Sequence, residues 1–156
     1  MAIELIRIDD RLIHGQVATQ WMKNLAIEQV LVISDVAAKD PLQLTILEIA
    51  APVGVRVMIY DVAEFVDVYN SVEIKRRTLL LFTNPIELLA CLKGGLKANL
   101  INIGGMKYVP GKKKVTRSVS VSEAEELAFK EIIAMGIEVE IRMMPIEKPQ
   151  FIKNLL

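Results

Sequence analysis

Short apolar runs alternate with helical patterns along nearly the whole chain. The runs are rich in valine, isoleucine and leucine, and most lack strict alternation, which is typical of parallel strands buried on both faces. They predict six strands, at residues 3–8, 29–34, 55–60, 78–82, 100–103 and 137–143. The last run alternates between glutamate and aliphatic residues through Glu138 and Glu140. That alternation predicts an edge strand with one wet face.

Helices with recognisable start and stop signals lie between these strands. In the first helix, Val17, Trp21 and Leu25 recur at i, i+4 and i+8 and form one apolar face. The later helices are predicted to start at Asp40-Pro41, at Asp61 with Glu64, at Asn84-Pro85 with Glu87, and at Ser122 with Glu125. The alternation of elements predicts an α/β fold, an open, mostly parallel β-sheet with helices on both faces in a three-layer αβα sandwich. No repeat or linker interrupts the pattern, so residues 1–156 are predicted to form a single domain.

One region, residues 104–115, breaks the alternation. It carries turn signals and no helical period, which predicts a hairpin or a flexible loop after the fifth strand. Because crossovers between parallel strands are right-handed, this region is expected at the sheet edge that also carries the loop after the first strand.

Composition narrows the class of protein. The chain has 19 lysines and arginines and 19 aspartates and glutamates. It therefore has no net positive charge that would attract nucleic acid or anionic lipid. No apolar run approaches the roughly 20 residues that span a bilayer, and the N-terminus lacks the features of a signal peptide. We therefore expect a cytoplasmic protein. The single cysteine, Cys91, excludes an intrachain disulfide and fits inert packing within a helix.

The candidate chemistry lies in the loop between the first strand and the first helix. Asp9, Asp10, Arg11 and Gly15 surround His14, the only histidine among 156 residues. In parallel α/β folds, loops of this kind lie at the carboxyl edge of the sheet, where ligands bind. The free N–H groups at a helix N-terminus bind phosphate. This loop is therefore predicted to handle a phosphoryl group.

The residue types in the loop suit phosphoryl transfer. The neutral imidazole of His14 is a nucleophile near neutral pH, and Arg11 provides a planar, permanently charged fork for phosphate oxygens. Asp10 is expected to orient Arg11 or to fix the tautomer of His14 through a hydrogen bond. Phosphate binding is expected from the backbone of Gly15, Gln16 and Val17, since Gly15 lacks a Cβ beside the ring.

Three other interpretations remain open. In the first, His14 is an ordinary loop histidine without a function. In the second, the protein is a non-catalytic docking module whose loop merely binds anions. In the third, Asp9 and Asp10 hold Mg²⁺ while Asp61 accepts phosphate, with Thr83 and Lys107 completing an order that resembles a response-regulator receiver domain. The residue after Lys107 is tyrosine where receivers have proline, and Asp61 is also explained as a helix N-cap. Lys112, Lys113 and Lys114 fit a solvated loop.

Residues 7–17 resemble the IIB components of the mannose/fructose/sorbose family of the bacterial sugar phosphotransferase system. The stretch Arg-Ile-Asp-Asp-Arg-Leu-Ile-His-Gly-Gln-Val, with Trp21 downstream, is the active-site signature of that family and shows no departure from it. The likeness continues through residues 34–37, 50–54, 102–106, 111–113 and 143–145, and thus covers essentially the full length.

The resemblance implies a definite function. His14 matches the phosphorylated histidine, which reacts through Nδ1, and Arg11 and Asp10 match the active-loop arginine and aspartate. The protein would be a phosphohistidine–sugar phosphotransferase that takes phosphate from a IIA partner and passes it to a sugar at the membrane IIC and IID components. No metal or organic cofactor is implied, and the start near the first strand suggests a free-standing copy rather than a fusion.

The partner is expected to cover the edge that holds His14. The protein would then be cytoplasmic and peripherally associated with the membrane sugar permease, and a homo-oligomer stays open. Docking is predicted at basic and apolar side chains near this edge, namely Arg7, Ile13, Met106, Lys107 and Lys113.

Overall fold

The main sheet has seven strands in the order β3-β2-β4-β1-β5-β8-β9. The computed structural model describes residues 2–156, except for the side chains of residues 16–18. The strands of the sheet are β1 Ile3–Asp9, β2 Gln29–Ile33, β3 Arg56–Tyr60, β4 Thr78–Phe82, β5 Leu100–Gly105, β8 Glu138–Ile141 and β9 Gln150–Phe151. All six longer strands run parallel, and only β9 is antiparallel, to β8. The six predicted strands are confirmed, with small shifts at their ends.

Within residues 2–156, six α-helices connect the strands: α1 Gly15–Asn24, α2 Asp35–Ala38, α3 Gln43–Ala50, α4 Val62–Ser71, α5 Pro85–Lys93 and α6 Glu123–Ala134. The predicted capping boxes form at Asp61 before α4 and at Ser122 before α6. Asn84 caps α5, whose first residue is Pro85. The four-residue helix α2 was not predicted, and α3 begins two residues after the predicted Pro41. A 3₁₀ turn, Ile152–Asn154, follows β9.

Helices cover both faces of the sheet, as predicted. On one face, Met22 of α1 and Leu47 of α3 pack against Val30, Leu79 and Leu81 in one apolar cluster. On the other face, a larger cluster contains the side chains Phe65 of α4, Leu88 of α5 and Phe129 of α6. The two clusters sit on opposite sides because successive residues of a strand point to opposite faces. The fold is therefore the three-layer α/β sandwich that the sequence predicts.

The strand predicted at residues 137–143 exists, but its predicted position at the edge of the sheet is wrong. β8 lies between β5 and β9, and Glu140 is buried opposite Asn102. Asn102 in turn is opposite Arg7 on β1. Of the two glutamates that suggested a wet face, Glu138 is exposed at the start of β8, whereas Glu140 belongs to a buried row of polar side chains across three neighbouring strands.

Residues 104–115 form a strand end and a short hairpin. Gly104 and Gly105 complete β5, and β6 Lys113–Lys114 pairs antiparallel with β7 Ser120–Val121. β1 lies between β4 and β5 in the sheet. The loop that follows β1 is consequently flanked by the carboxyl ends of two neighbouring strands.

Candidate functional site

His14 lies where the loop after β1 meets α1. It is the N-cap residue of α1, in an extended conformation with φ −154° and ψ 147°, and its side chain makes no capping hydrogen bond. The loop turns sharply on both sides of it, since φ is +60° at Leu12 and +37° at Gly15. Left-handed backbone of this kind at a non-glycine residue is uncommon and is typical of functional loops. The His14 side chain is 24 % exposed.

The two ring nitrogens of His14 have different surroundings. Nδ1 is 2.9 Å from the carbonyl oxygen of Leu12. Because a carbonyl only accepts, Nδ1 donates its proton in this arrangement. Nε2 is buried without a hydrogen-bond partner among the described residues, and it lies 3.9 Å from Oδ2 of Asp9.

Asp9 is the centre of the site, and the sequence did not predict this. Its carboxylate is fully buried and accepts three hydrogen bonds from Arg11: the backbone N–H and Nε bind Oδ1, both at 3.1 Å, and Nη2 binds Oδ2 at 3.2 Å. Nη2 of Arg7 donates to Oδ2 at 3.2 Å. The sequence did contain a signal for the contact between Arg7 and Asp9, because residues two apart on a strand have their side chains on the same face.

Arg11 is held beside His14 by this carboxylate. Its side chain is 46 % exposed, although Nε and Nη2 are bound to Asp9. The guanidinium lies over Gly105, where an added Cβ would come within 3.2 Å of Nη2. A guanidinium has five N–H donors, so Arg11 retains donors that can reach an anion next to the ring.

Asp10 does not make the contact predicted for it. Its Oδ2 accepts the backbone N–H of Lys107 at 2.6 Å, and its own N–H donates to the Gly105 carbonyl at 3.2 Å. These bonds tie the loop after β1 to the end of β5. Asp9, and not Asp10 as assigned from the sequence, therefore orients Arg11, because Asp9 is the buried last residue of β1 and Asp10 follows it at the surface.

Three of the five predicted docking residues cannot contact a partner through their side chains. Arg7, Ile13 and Met106 are buried, at 2 %, 5 % and 2 % exposure. Arg7 donates to Asn102 Oδ1 at 2.6 Å and to the carbonyls of Arg142 and Met143 as well as to Asp9. Burial lowers the pKa of Arg7, and the charge of Asp9 opposes that shift. Arg7 is thus a structural cation inside the fold.

The other basic residues of the predicted docking surface lie at the surface. Lys107 and Lys113 are exposed, and Nζ of Lys113 is 3.0 Å from Glu126. Lys112 is paired with Glu125, and Lys114 lies over the ring of Tyr108. Two of these four lysines, Lys112 and Lys113, are therefore paired with carboxylates of α6.

The predicted phosphate-binding residues occupy the first turn of α1. Gly15 is exposed, and an added Cβ would meet nothing within 4 Å. Its positive φ explains the glycine better than the predicted clearance for a phosphate does. The side chains of Gln16 and Val17 lie outside the described residues, and their backbone forms part of α1.

A crevice opens beside the loop at the ends of β1, β2 and β4. It has a volume of about 630 Å³, and its walls include Asp10 and Leu12, Ser34 and Val36, and Asn84. β2 and β4 are neighbours in the sheet, and the chain runs from β2 to β3 on one side of this pair and from β4 to β5 on the other. Ligands of open α/β sheets bind in crevices where the strand order reverses in this way. The crevice lies where that rule expects a ligand, and the loop after β1 borders it through Asp10 and Leu12.

The receiver-like interpretation is wrong. The carboxylate of Asp61 accepts the N–H of Glu64 at 2.7 Å as the N-cap of α4. β3, which precedes Asp61, is separated from β1 by β2 and β4, a lateral distance of about 14 Å at the usual strand spacing. Within the described part of the chain, no group of histidine, cysteine or acidic side chains is arranged to hold a metal ion.

Cys91 is buried, and burial together with Glu87 and Asp35 raises the pKa of its thiol to about 12, which confirms inert packing.

Among residues 2–156, none of the helices has the length and apolar character needed to cross a bilayer.

Comparison with known proteins identifies the family. Residues 3–156 match the family model described as PTS system sorbose subfamily IIB component. The chain is 46 % identical over 143 residues to the mannose-specific EIIAB component of Escherichia coli (strain K12), covering 91 % of this chain and 44 % of that protein. It is 38 % identical to the sorbose-specific EIIB component of Lacticaseibacillus casei, covering 92 % and 88 %.

A solved structure agrees. The IIBSor domain of the sorbose permease from Klebsiella pneumoniae superposes with a TM-score of 0.92 at 35 % identity, covering 99 % of this chain and 95 % of that one. The chain spans less than half the length of the mannose-specific relatives that it matches. A full-length family match, close relatives and a shared fold together show that this chain belongs to the sorbose-subfamily IIB components of the sugar phosphotransferase system.

Proposed function

We propose that residues 1–156 form one IIB domain that carries a phosphoryl group on His14. The group arrives from a phosphohistidine on a IIA protein and leaves to a sugar at the membrane IIC and IID components, which makes the domain a phosphohistidine–sugar phosphotransferase. The observation that carries the proposal is the placement of His14 at the start of α1, with the guanidinium of Arg11 fixed beside it by Asp9. Family membership supports the same conclusion.

The chemistry requires little beyond a nucleophile and positive charge. Phosphoryl transfer passes through a loose transition state with charge on three equatorial oxygens, so catalysis is mostly positioning and electrostatics. Arg11 supplies the permanent charge for those oxygens. The backbone N–H groups of Gly15, Gln16 and Val17 at the positive end of α1 supply further donors. No step of this reaction calls for a metal or an organic cofactor.

Donor and acceptor proteins would use the same edge of the sheet in turn, because both must reach His14. Lys107 and Lys113 stay candidates for that contact, since both are exposed. A carrier that must release each partner quickly is expected to have a small interface of modest affinity. Alternating contact of this kind suits a cytoplasmic protein that binds the membrane permease peripherally.

The proposal is tested by transfer from a phosphorylated IIA protein. Wild-type protein should take up one phosphoryl group per chain, and His14→Ala should take up none. Asp61→Asn is a matched control because Asp61 caps α4 after β3, and β2 and β4 lie between β3 and β1 in the sheet; it should label as wild type does. The product should be stable in alkali and labile in acid, as phosphohistidine is. Normal labelling of His14→Ala, or a base-labile product, would contradict the proposal.

A further inference from the structure

We propose that Gly105 is a positioning residue: because it has no side chain, the guanidinium of Arg11 can rest on the end of β5 beside His14. The proposal deepens the function above and rests on it, since it concerns the cation that the phosphoryl group would meet. The observation that carries it is steric. The three atoms nearest to the position of a Cβ on Gly105 all belong to Arg11, with Nη2 at 3.2 Å and both Cζ and Nε at 3.7 Å.

The backbone conformation does not explain a glycine at position 105. Gly15 and Gly111 have positive φ values, which favour glycine, whereas Gly105 does not. Gly105 is the buried last residue of β5. Glycine weakens a strand, and it often marks a point where another group approaches the backbone closely. At this position that group is the guanidinium of Arg11.

Arg11 is held between Gly105 and the carboxylate of Asp9. Nε donates to Oδ1 of Asp9 at 3.1 Å, and Nη2 donates to Oδ2 at 3.2 Å. Nη2 is also the atom nearest to the position of the added Cβ. A methyl group at 3.2 Å is closer than an ordinary van der Waals contact, so the guanidinium would have to shift or turn. The bond from Nη2 to Asp9 would be the first to lengthen.

The end of β5 and the loop after β1 are fastened together, so neither moves aside easily. Asp9 is paired with Gly105 across the two strands, and the N–H of Asp10 donates to the Gly105 carbonyl at 3.2 Å. Oδ2 of Asp10 accepts the N–H of Lys107 at 2.6 Å. The side chain of Arg11 is 46 % exposed and is therefore the part that yields to an added methyl group.

A displaced guanidinium would slow phosphoryl transfer, because stabilisation of charge in the transition state depends on where the donors lie. A shift of about 1 Å in a positioned group slows a reaction by about 10²-fold. An added methyl group on Gly105 moves Arg11 by less than that, so transfer should be about 10-fold slower. The encounter with the IIA protein should not change, because Gly105 is buried and presents no side chain to a partner.

The experiment is a double-mutant cycle, measured as single-turnover transfer from a phosphorylated IIA protein. Gly105→Ala should lower the maximal rate about 10-fold and leave the IIA concentration at half-maximal rate unchanged. In an Arg11→Ala background the same change should have no effect, because the guanidinium that it displaces is absent. A purely structural defect would slow both backgrounds alike. The urea midpoint should stay near that of wild type for Gly105→Ala, whereas Gly104→Ala, which collides with the buried Arg7, should lower it.

The outcomes separate the two proposals. A wild-type rate for Gly105→Ala, or an equal loss of rate in both backgrounds, overturns the role of Gly105 but leaves the phosphocarrier function standing. A wild-type protein that takes up no phosphoryl group overturns both. If Gly105→Ala does not fold, the doubly substituted protein decides. Removal of the Arg11 guanidinium should restore folding, and a double variant that also fails to fold contradicts the inference.

Discussion

Replacement of Arg7 by methionine should destabilise the protein strongly, because Arg7 is a structural cation. Its guanidinium is 2 % exposed and donates to Asp9, Asn102 and the carbonyls of Arg142 and Met143. Methionine fills part of the space but leaves the Asp9 carboxylate with one partner fewer and the Asn102 oxygen unpaired. Removing one member of a buried ion pair costs about 3–5 kcal/mol.

Urea denaturation followed by circular dichroism measures this cost. With a slope of about 2 kcal/mol per molar, a loss of 4 kcal/mol moves the midpoint down by about 2 M. Arg77→Met is the matched control: Arg77 is half-exposed, pairs with Glu4 at 3.0 Å and donates to the Leu25 carbonyl through Nε and Nη2. Its loss should cost no more than about 2 kcal/mol. If Arg7→Met instead keeps the wild-type midpoint and only slows transfer from a IIA partner, Arg7 acts in docking as the sequence suggested, and the structural argument fails.

Three further predictions concern Arg11, Gly104 and Cys91. Arg11→Ala should slow phosphoryl transfer by about 10²–10³-fold, as the loss of one strong transition-state donor does; an unchanged single-turnover rate would remove that role. Gly104→Ala should lower the free energy of unfolding by about 1–3 kcal/mol, since the added Cβ would lie 2.6 Å from Oδ2 of Asp9 and collide with the guanidinium of Arg7; a neutral effect in urea would show that the buried pair can move aside. Because burial raises the pKa of Cys91 to about 12, the unfolded chain loses its thiol proton first, and stability should fall between about pH 9 and pH 12 by as much as about 4 kcal/mol. Cys91→Ala should lack that part of the decline, and parallel curves for the two proteins would refute it.

The fold was predictable because its signals are local. Aliphatic runs mark the buried parallel strands, and Asp61 and Ser122 form the capping boxes that start α4 and α6. The elements that were missed are short: α2 has four residues and β9 has two. Such segments are too short to show a period, and their stability comes from contacts elsewhere in the chain.

The site was only partly predictable. His14 and Arg11 were predicted from residue type alone, because a lone histidine and an arginine in a strand-to-helix loop suggest phosphoryl chemistry. The buried role of Arg7 depends on Asn102 and Glu140, which are far away in sequence and meet it only through the strand order. The choice between Asp9 and Asp10 depends on where β1 ends, because Asp9 is the last residue of the buried strand and Asp10 lies beyond it at the surface. Strand ends are the least certain feature of any pattern.

The central claim is that the imidazole of His14 carries the phosphoryl group between proteins. The most direct measurement is tandem mass spectrometry of the chain after reaction with a phosphorylated IIA protein, kept in alkali, followed by a chase with sugar and membranes that contain the IIC and IID components. We predict one phosphoryl group on residue 14, lost from the protein and recovered on sugar in the chase. A phosphoryl group found on any other residue, or one that stays on the protein while sugar is phosphorylated, would contradict the claim.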